Sequence, residues 1–186
     1  LQLPQRVTQY APLAEDERSR GSMELTADIL FLARPDFIVF DEVRKTRDFE
    51  VFGDCRLAGR GLLGVTHSAS ALEAIQRMIG RVELGILAQI LTTVIHVEKG
   101  SISEVLQLAM AVKAPAGMQA DLARPVIQVK RYPDGKVLHE IFSFGEQICI
   151  VDADGGASDN GMSPVQLLAA AQLKNRLSED YGIKIH

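Results

Sequence analysis

Four apolar residues in a row, Phe37-Ile38-Val39-Phe40, stop abruptly at the acidic pair Asp41-Glu42. A run this short reads as a strand. Being apolar at every position rather than at alternate ones, it predicts a strand buried on both faces, as in parallel sheets covered by helices. The flanks agree. Ser22 is placed to cap a helix from Met23 to about Ala33, with Glu24 in its first turn and Met23, Ala27 and Leu30 on one face, and Pro35 ends it. Thr46 is placed to cap a second helix from Arg47 to Ala58, which turns Phe49, Phe52 and Leu57 to the core and is terminated by Gly59 and Gly61. Leu62-Leu63-Gly64-Val65-Thr66-His67 reads as another buried strand. It delivers His67 to the same carboxyl edge as Asp41, where open α/β sheets bind ligands.

Helices are expected over 69–78 and 83–90, followed by a strand rich in β-branched residues from Thr92 to Val97. From Ser101 the pattern changes to hairpins, with strands over 104–112, 126–131, 137–144 and 147–151 and a turn at Pro133-Asp134-Gly135. Asp152 to Pro164 reads as a Gly/Asp/Ser linker, and Val165 to Leu177 as an amphipathic helix with Leu168, Ala171 and Leu173 on its apolar side. At the start, Leu1 to Tyr10 reads as extended and Ala14 to Arg20 as a charged connector. No internal repeat is present. The fold class is therefore α/β, a parallel sheet flanked by helices, followed by a β-rich unit and a C-terminal helix.

Composition narrows the function classes. A net charge of −4 over 186 residues disfavours a surface that binds nucleic acid mainly by neutralising phosphates. Cys55 and Cys149 are far apart and form no C-x-x-C, so they read as reduced, buried thiols rather than zinc ligands, as expected in the cytoplasm. No apolar run approaches the roughly 18 residues of a membrane span, and no basic-then-apolar signal pattern opens the chain, so no membrane partner is expected.

Asp41 and Glu42 are the residues most suited to chemistry. A hard dication prefers carboxylate and water oxygens, and a second carboxylate can polarise a water. The partner motif of such a site, G-x-x-x-x-G-K-[ST], supplies the amides and lysine that hold phosphates, and it is absent. Gly59-Arg60-Gly61 has no following Lys-Ser or Lys-Thr, and the 154–161 glycine cluster has no lysine, so both read as loops. On spacing alone, the pair reads equally as a solvated end of a strand.

Longer stretches carry a family resemblance. Arg34 through Thr46, containing Asp41-Glu42-Val43-Arg44, resembles the Walker B segment of the secretion and pilus-motor ATPase superfamily. Gly64-Val65-Thr66-His67-Ser68-Ala69-Ser70 through Ile75-Gln76-Arg77 resembles its His box. Gly80-Arg81-Val82-Glu83-Leu84-Gly85, the 121–127 stretch Asp-Leu-Ala-Arg-Pro-Val-Ile, and Phe144-Gly145-Glu146-Gln147 are similar to one branch, the archaeal-type ATPases with an N-terminal PIN and a C-terminal KH domain. The resemblance implies a partial RecA-like P-loop core over 1–112, a β-hairpin unit over 113–151, a linker over 152–164, and a possible KH remnant over 165–186 that lacks the G-x-x-G clamp.

The same resemblance implies ATP and Mg²⁺ as cofactors and a homo-oligomeric, hexameric ring with ATP between neighbours. It also implies nucleic acid, branched DNA in some members, as the polymer moved. Asp41 would hold Mg²⁺ through water, Glu42 would polarise the attacking water, and His67 would sense the γ-phosphate. Arg77 and Arg81, four apart and on one face if the helix is continuous, would reach phosphate or a neighbouring subunit's site. The alternative for the two arginines is a surface salt bridge to Glu73 or Glu83. Arg44 is expected to anchor the strand-to-helix turn, Arg60 is a weaker candidate, and His96, His139 and His186 carry no expected chemistry. The P-loop is expected upstream of Leu1, which would leave this portion inactive alone. The other readings are a split or decayed subunit that docks to intact ATPase subunits without hydrolysis, and a stand-alone nucleic-acid-binding module.

Overall fold

The Ser22 hydroxyl accepts the backbone N–H groups of Glu24 and Leu25 at 3.2 and 3.4 Å, and so starts helix α1, Met23–Ala33. The helix stops at Arg34, which takes a left-handed φ of 51° just before Pro35. The structure, a computed structural model, describes residues 7–9, 22–118 and 123–153. The expected 14–20 connector, most of the extended start, the linker beyond Ala153, the 165–177 helix and the KH-like tail lie outside the described residues.

The chain divides into two compact units, Leu1–Ile90 and Leu91–His186. In the first, strand β1 (Phe37–Phe40) pairs in parallel with β2 (Gly61–Gly64), Phe37 opposite Gly61 and Phe40 opposite Gly64. Helix α2, Thr46–Leu57, makes the crossover, and α3 (Ala71–Met78) and α4 (Leu84–Ile90) follow. The mixed α/β class and the parallel pair match the sequence reading, but burial on both faces does not. Ile38 and Phe40 are buried, whereas Phe37 is 80% and Val39 66% exposed. The covered face is the one on which Phe40 meets Phe52 of α2 edge-on, ring centroids 5.6 Å apart. An unbroken apolar run does not encode which of its faces receives a helix.

Two glycines make that packing close. A Cβ on Gly64 would lie 2.8 Å from the Phe52 ring, and one on Gly61 would lie 2.4 Å from the Phe37 ring. Gly61 is therefore the first residue of a strand rather than a helix stop, and Gly59, at φ 85°, makes the turn. The Ser70 hydroxyl accepts Glu73 N–H at 3.1 Å and the Glu73 carboxylate accepts Ala69 N–H at 2.5 Å, which starts α3. Cys55 is fully buried in this core, and burial, aided by Asp54, pushes its thiol above the usual range.

The second unit is a five-stranded antiparallel meander, β3 (Thr93–Glu98), β4 (Ser101–Lys113), β5 (Arg124–Arg131), β6 (Val137–Phe144) and β7 (Gln147–Asp152), in that order across the sheet. The strand expected over 92–97 pairs with β4 here, not with β1 or β2. The cause is a two-residue turn at Lys99-Gly100, both with positive φ (51° and 78°), the geometry that suits a tight hairpin. The turn between β5 and β6 falls at 133–135 as the sequence indicates. Asp134 accepts Arg131 in an ion pair at 2.6 Å and the Lys136 N–H at 3.2 Å. Glu140 is 1% exposed in this sheet, its carboxylate held by Lys113 Nζ at 2.5 Å and Ala116 N–H at 2.8 Å. Among the described residues no helix is long and apolar enough to cross a membrane.

Three substitutions test this packing by urea denaturation. Gly64→Ala forces the Phe52 ring aside and is expected to cost about 1–3 kcal/mol. Lys113→Met strands the buried Glu140 carboxylate and is expected to cost about 3–5 kcal/mol. Glu140→Gln, which still offers an acceptor to Ala116, should cost clearly less than Lys113→Met, and the opposite order would refute this account of the pair.

Candidate functional site at the carboxyl edge of the parallel strands

The parallel pairing continues past the strand ends. Val65 N–H donates to Phe40 C=O at 3.0 Å, and Val43 N–H donates to Val65 C=O at 2.8 Å. These two bonds lay residues 41–43 beside 65–67 and bring two of the sequence-selected residues together. Glu42 Oε1 lies 3.9 Å from His67 Nε2, with His67 largely exposed and Glu42 half-buried. Asp41, adjoining them, is exposed and makes no hydrogen bond or ion pair among the described residues. Its oxygens are thus available to a hard cation. Among the described residues no three Asp, Glu, His or Cys side chains converge into a cage for a metal. One free carboxylate completed by water and phosphate oxygens is the manner in which Mg²⁺ is held, and the residues present fit that ion.

Arg44 plays a different part from the one expected. Its guanidinium pairs with Glu42 Oε2 at 2.8 Å. The turn into α2 is anchored by Asp48, whose Oδ2 accepts the N–H groups of Arg44 and Lys45 at 3.1 and 2.8 Å. The signal for Asp48 was legible, since an acid three residues beyond a helix cap commonly returns to the backbone. Arg60 donates to Pro35 C=O at 3.3 Å, a structural contact away from Glu42. His96 and His139 each make a cross-strand contact, to Ser103 Oγ at 2.8 Å and Asp152 Oδ1 at 2.9 Å.

Arg77 and Arg81 do not share one helix. The α3 helix ends at Met78, and Gly80, at φ 80°, breaks the path to α4. Arg77 Nη1 donates to Thr66 Oγ1 at 3.3 Å. Arg81 Nε donates to Thr46 Oγ1 at 3.2 Å, its Nη1 donates to Arg77 C=O, and its guanidinium carbon lies 5.1 Å from the centre of the Phe49 ring. Thr46, expected as a cap, is the first residue of α2 and serves instead as an acceptor.

The salt bridges considered for the two arginines are not formed. Glu73 is turned to Ala69, and neither guanidinium pairs with a carboxylate among the described residues. Both charges rest on neutral acceptors and a ring face, an arrangement that favours capture of an anion. Thr66 is the residue that sequence reasoning passed over; its only signal was its place directly before His67.

No family model matches the chain. It is 50% identical over 159 residues to an uncharacterized KH- and PIN-domain-containing protein of Methanocaldococcus jannaschii, covering 84% of this chain and 24% of that protein. It is 42% identical over 152 residues to the Holliday junction branch migration ATPase PINA of Sulfolobus acidocaldarius, covering 81% of this chain and 29% of that protein. The chain spans about a quarter of the length of the curated relatives it matches. Over that stretch it is a homologue of archaeal proteins named for KH and PIN domains and for a branch-migration ATPase.

Proposed function

We propose that this chain supplies the metal- and water-handling half of an ATP-hydrolysing site in a nucleic-acid motor. The observation that carries the reading is the meeting of Glu42 and His67 at 3.9 Å, beside an unengaged Asp41, at the carboxyl edge of two parallel strands. Homology to a protein named as a Holliday junction branch migration ATPase supports it and suggests a four-way DNA junction as the substrate.

Asp41 would hold Mg²⁺, and the chemistry that ion would supply when bound with ATP is neutralisation of charge on the phosphates. Glu42 polarises the attacking water and takes its proton on Oε1, the oxygen that Arg44 does not engage. His67 donates a hydrogen bond toward the γ-phosphate. Arg77 and Arg81 carry uncompensated positive charge toward phosphate in the same subunit or a neighbour. The phosphate-cradling backbone comes from another part of the complete protein, since the 186 residues hold no G-x-x-x-x-G-K-[ST]. In that protein the parallel unit belongs to a RecA-like core of the secretion-ATPase superfamily, assembled as a hexameric ring with ATP between subunits. The antiparallel sheet is an appended unit preceding a KH-like tail, and the protein works in the cytoplasm.

Glu42→Gln in the complete protein should leave ATP binding within about twofold while lowering turnover at least about a hundredfold; unchanged turnover would remove Glu42 from the mechanism. The division of the site is tested separately by calorimetry. Mg²⁺-ATP titrated into the 186-residue chain alone should give no micromolar binding, and a micromolar isotherm would show that the chain holds phosphates by itself.

A further inference from the structure

We infer that Thr66 is a positioning residue, whose single hydroxyl sets the Glu42–His67 pair and parks Arg77 until an anion recruits it. This rests on the hydrolytic reading above. Thr66 is half-buried and directly precedes His67. Its Oγ1 donates to Val43 C=O at 3.0 Å and accepts from Arg77 Nη1 at 3.3 Å. The direction of both bonds is fixed, because a guanidinium only donates and a carbonyl only accepts. Val43, the neighbour of Glu42, is 4% exposed, and its own N–H is held by Val65 C=O at 2.8 Å. Both polar groups of the Val43 peptide units facing β2 are therefore used, one by the Val65 backbone and one by a side chain. The loop carrying Glu42 can shift against the loop carrying His67 only if the Thr66 hydroxyl lets go together with the Val43–Val65 backbone bond.

The other half of the contact is weaker by design of its chemistry. A neutral hydroxyl at 3.3 Å is a poor partner for a guanidinium compared with a phosphate oxygen, where the bond is charge-assisted and roughly twice as strong. Arg77 can leave Thr66 for an anion while Thr66 keeps its bond to Val43. One oxygen thus holds the geometry of the acid and imidazole and, separately, the resting place of the arginine. Serine keeps both bonds; valine matches the shape of threonine and loses both.

The test compares Thr66→Val, Thr66→Ser and Glu42→Gln in the complete protein. Thr66→Val should lower kcat about ten- to a hundredfold, as small misplacements of reacting groups do, with the KM for ATP within about twofold. Thr66→Ser should recover kcat to within about twofold of the unsubstituted protein. Hydrogen exchange at residues 41–45 and 65–69 should quicken in Thr66→Val and not in Thr66→Ser, with α1 unchanged. Turnover lost in Glu42→Gln but normal in Thr66→Val overturns this inference alone. A Thr66→Ser protein as slow as Thr66→Val overturns it too, since the methyl group would then be what matters. Normal turnover in both Glu42→Gln and Thr66→Val overturns the hydrolytic reading and this inference with it, and unchanged exchange in Thr66→Val refutes the tie between the loops whatever the turnover.

Discussion

The candidate site depends on two backbone hydrogen bonds that outlast the strands, Val65 N–H to Phe40 C=O and Val43 N–H to Val65 C=O. Strand β1 is four residues long and so is β2, and a parallel pair of that length has little stability of its own. Carrying the pairing one step further converts two loops into a continuation of the sheet. Side chains that leave the chain at 42 and 67 are brought within reach of one another without either being on a regular element. The same bonds bury Val43, an apolar residue in the middle of a charged turn, and so the turn gains a small apolar anchor of its own.

Charge is arranged unevenly around this edge. The acid side is divided: Glu42 is engaged by Arg44, while Asp41 is left open. The basic side is held on threonine hydroxyls, a carbonyl and the Phe49 ring. Elsewhere in the same unit Arg47 is paired conventionally with carboxylates, whereas Arg56 and Arg60 donate to backbone carbonyls. Arg47 bridges Glu24 of α1 and Glu50 of α2, and that contact holds the Glu24 carboxyl below the usual carboxylate range. Arg47 thus joins two helices through carboxylates, while Arg77 and Arg81 are held by neutral acceptors.

Much of the architecture was legible because its signals are local. Ser22 caps its helix through its own hydroxyl, Pro35 and Gly59 stop helices, and the 133–135 turn lies where proline, aspartate and glycine adjoin; Ser70, inside the stretch expected as helix, is instead the cap of α3. What escaped the sequence depends on partners distant along the chain. Lys99-Gly100 makes a hairpin, but lysine in a left-handed conformation is not the Asn or Asp that advertises one, so the strand at 93–98 was grouped with its predecessors. Arg77 and Arg81 share a face only if the helix runs on through Gly80, and the positive φ of Gly80 breaks that path. Glu42 and His67 could be placed on one sheet edge from the strand pattern. The roles of Thr46 and Thr66 could not, since each accepts from an arginine 35 or 11 residues away.

The uneven covering of β1 has a mechanical consequence. Phe37 and Val39 face outward, so the apolar grip on this strand comes from Ile38 and Phe40 on the side where Phe52 lies. Phe52 also presses on Gly64, the last residue of β2 before the paired loops. One aromatic ring thus acts as a clamp on the terminal residues of both strands at once. Damage to that ring, which itself carries no ionisable group, would loosen the alignment of the two loops and be read in an assay as a fault of chemistry rather than of packing.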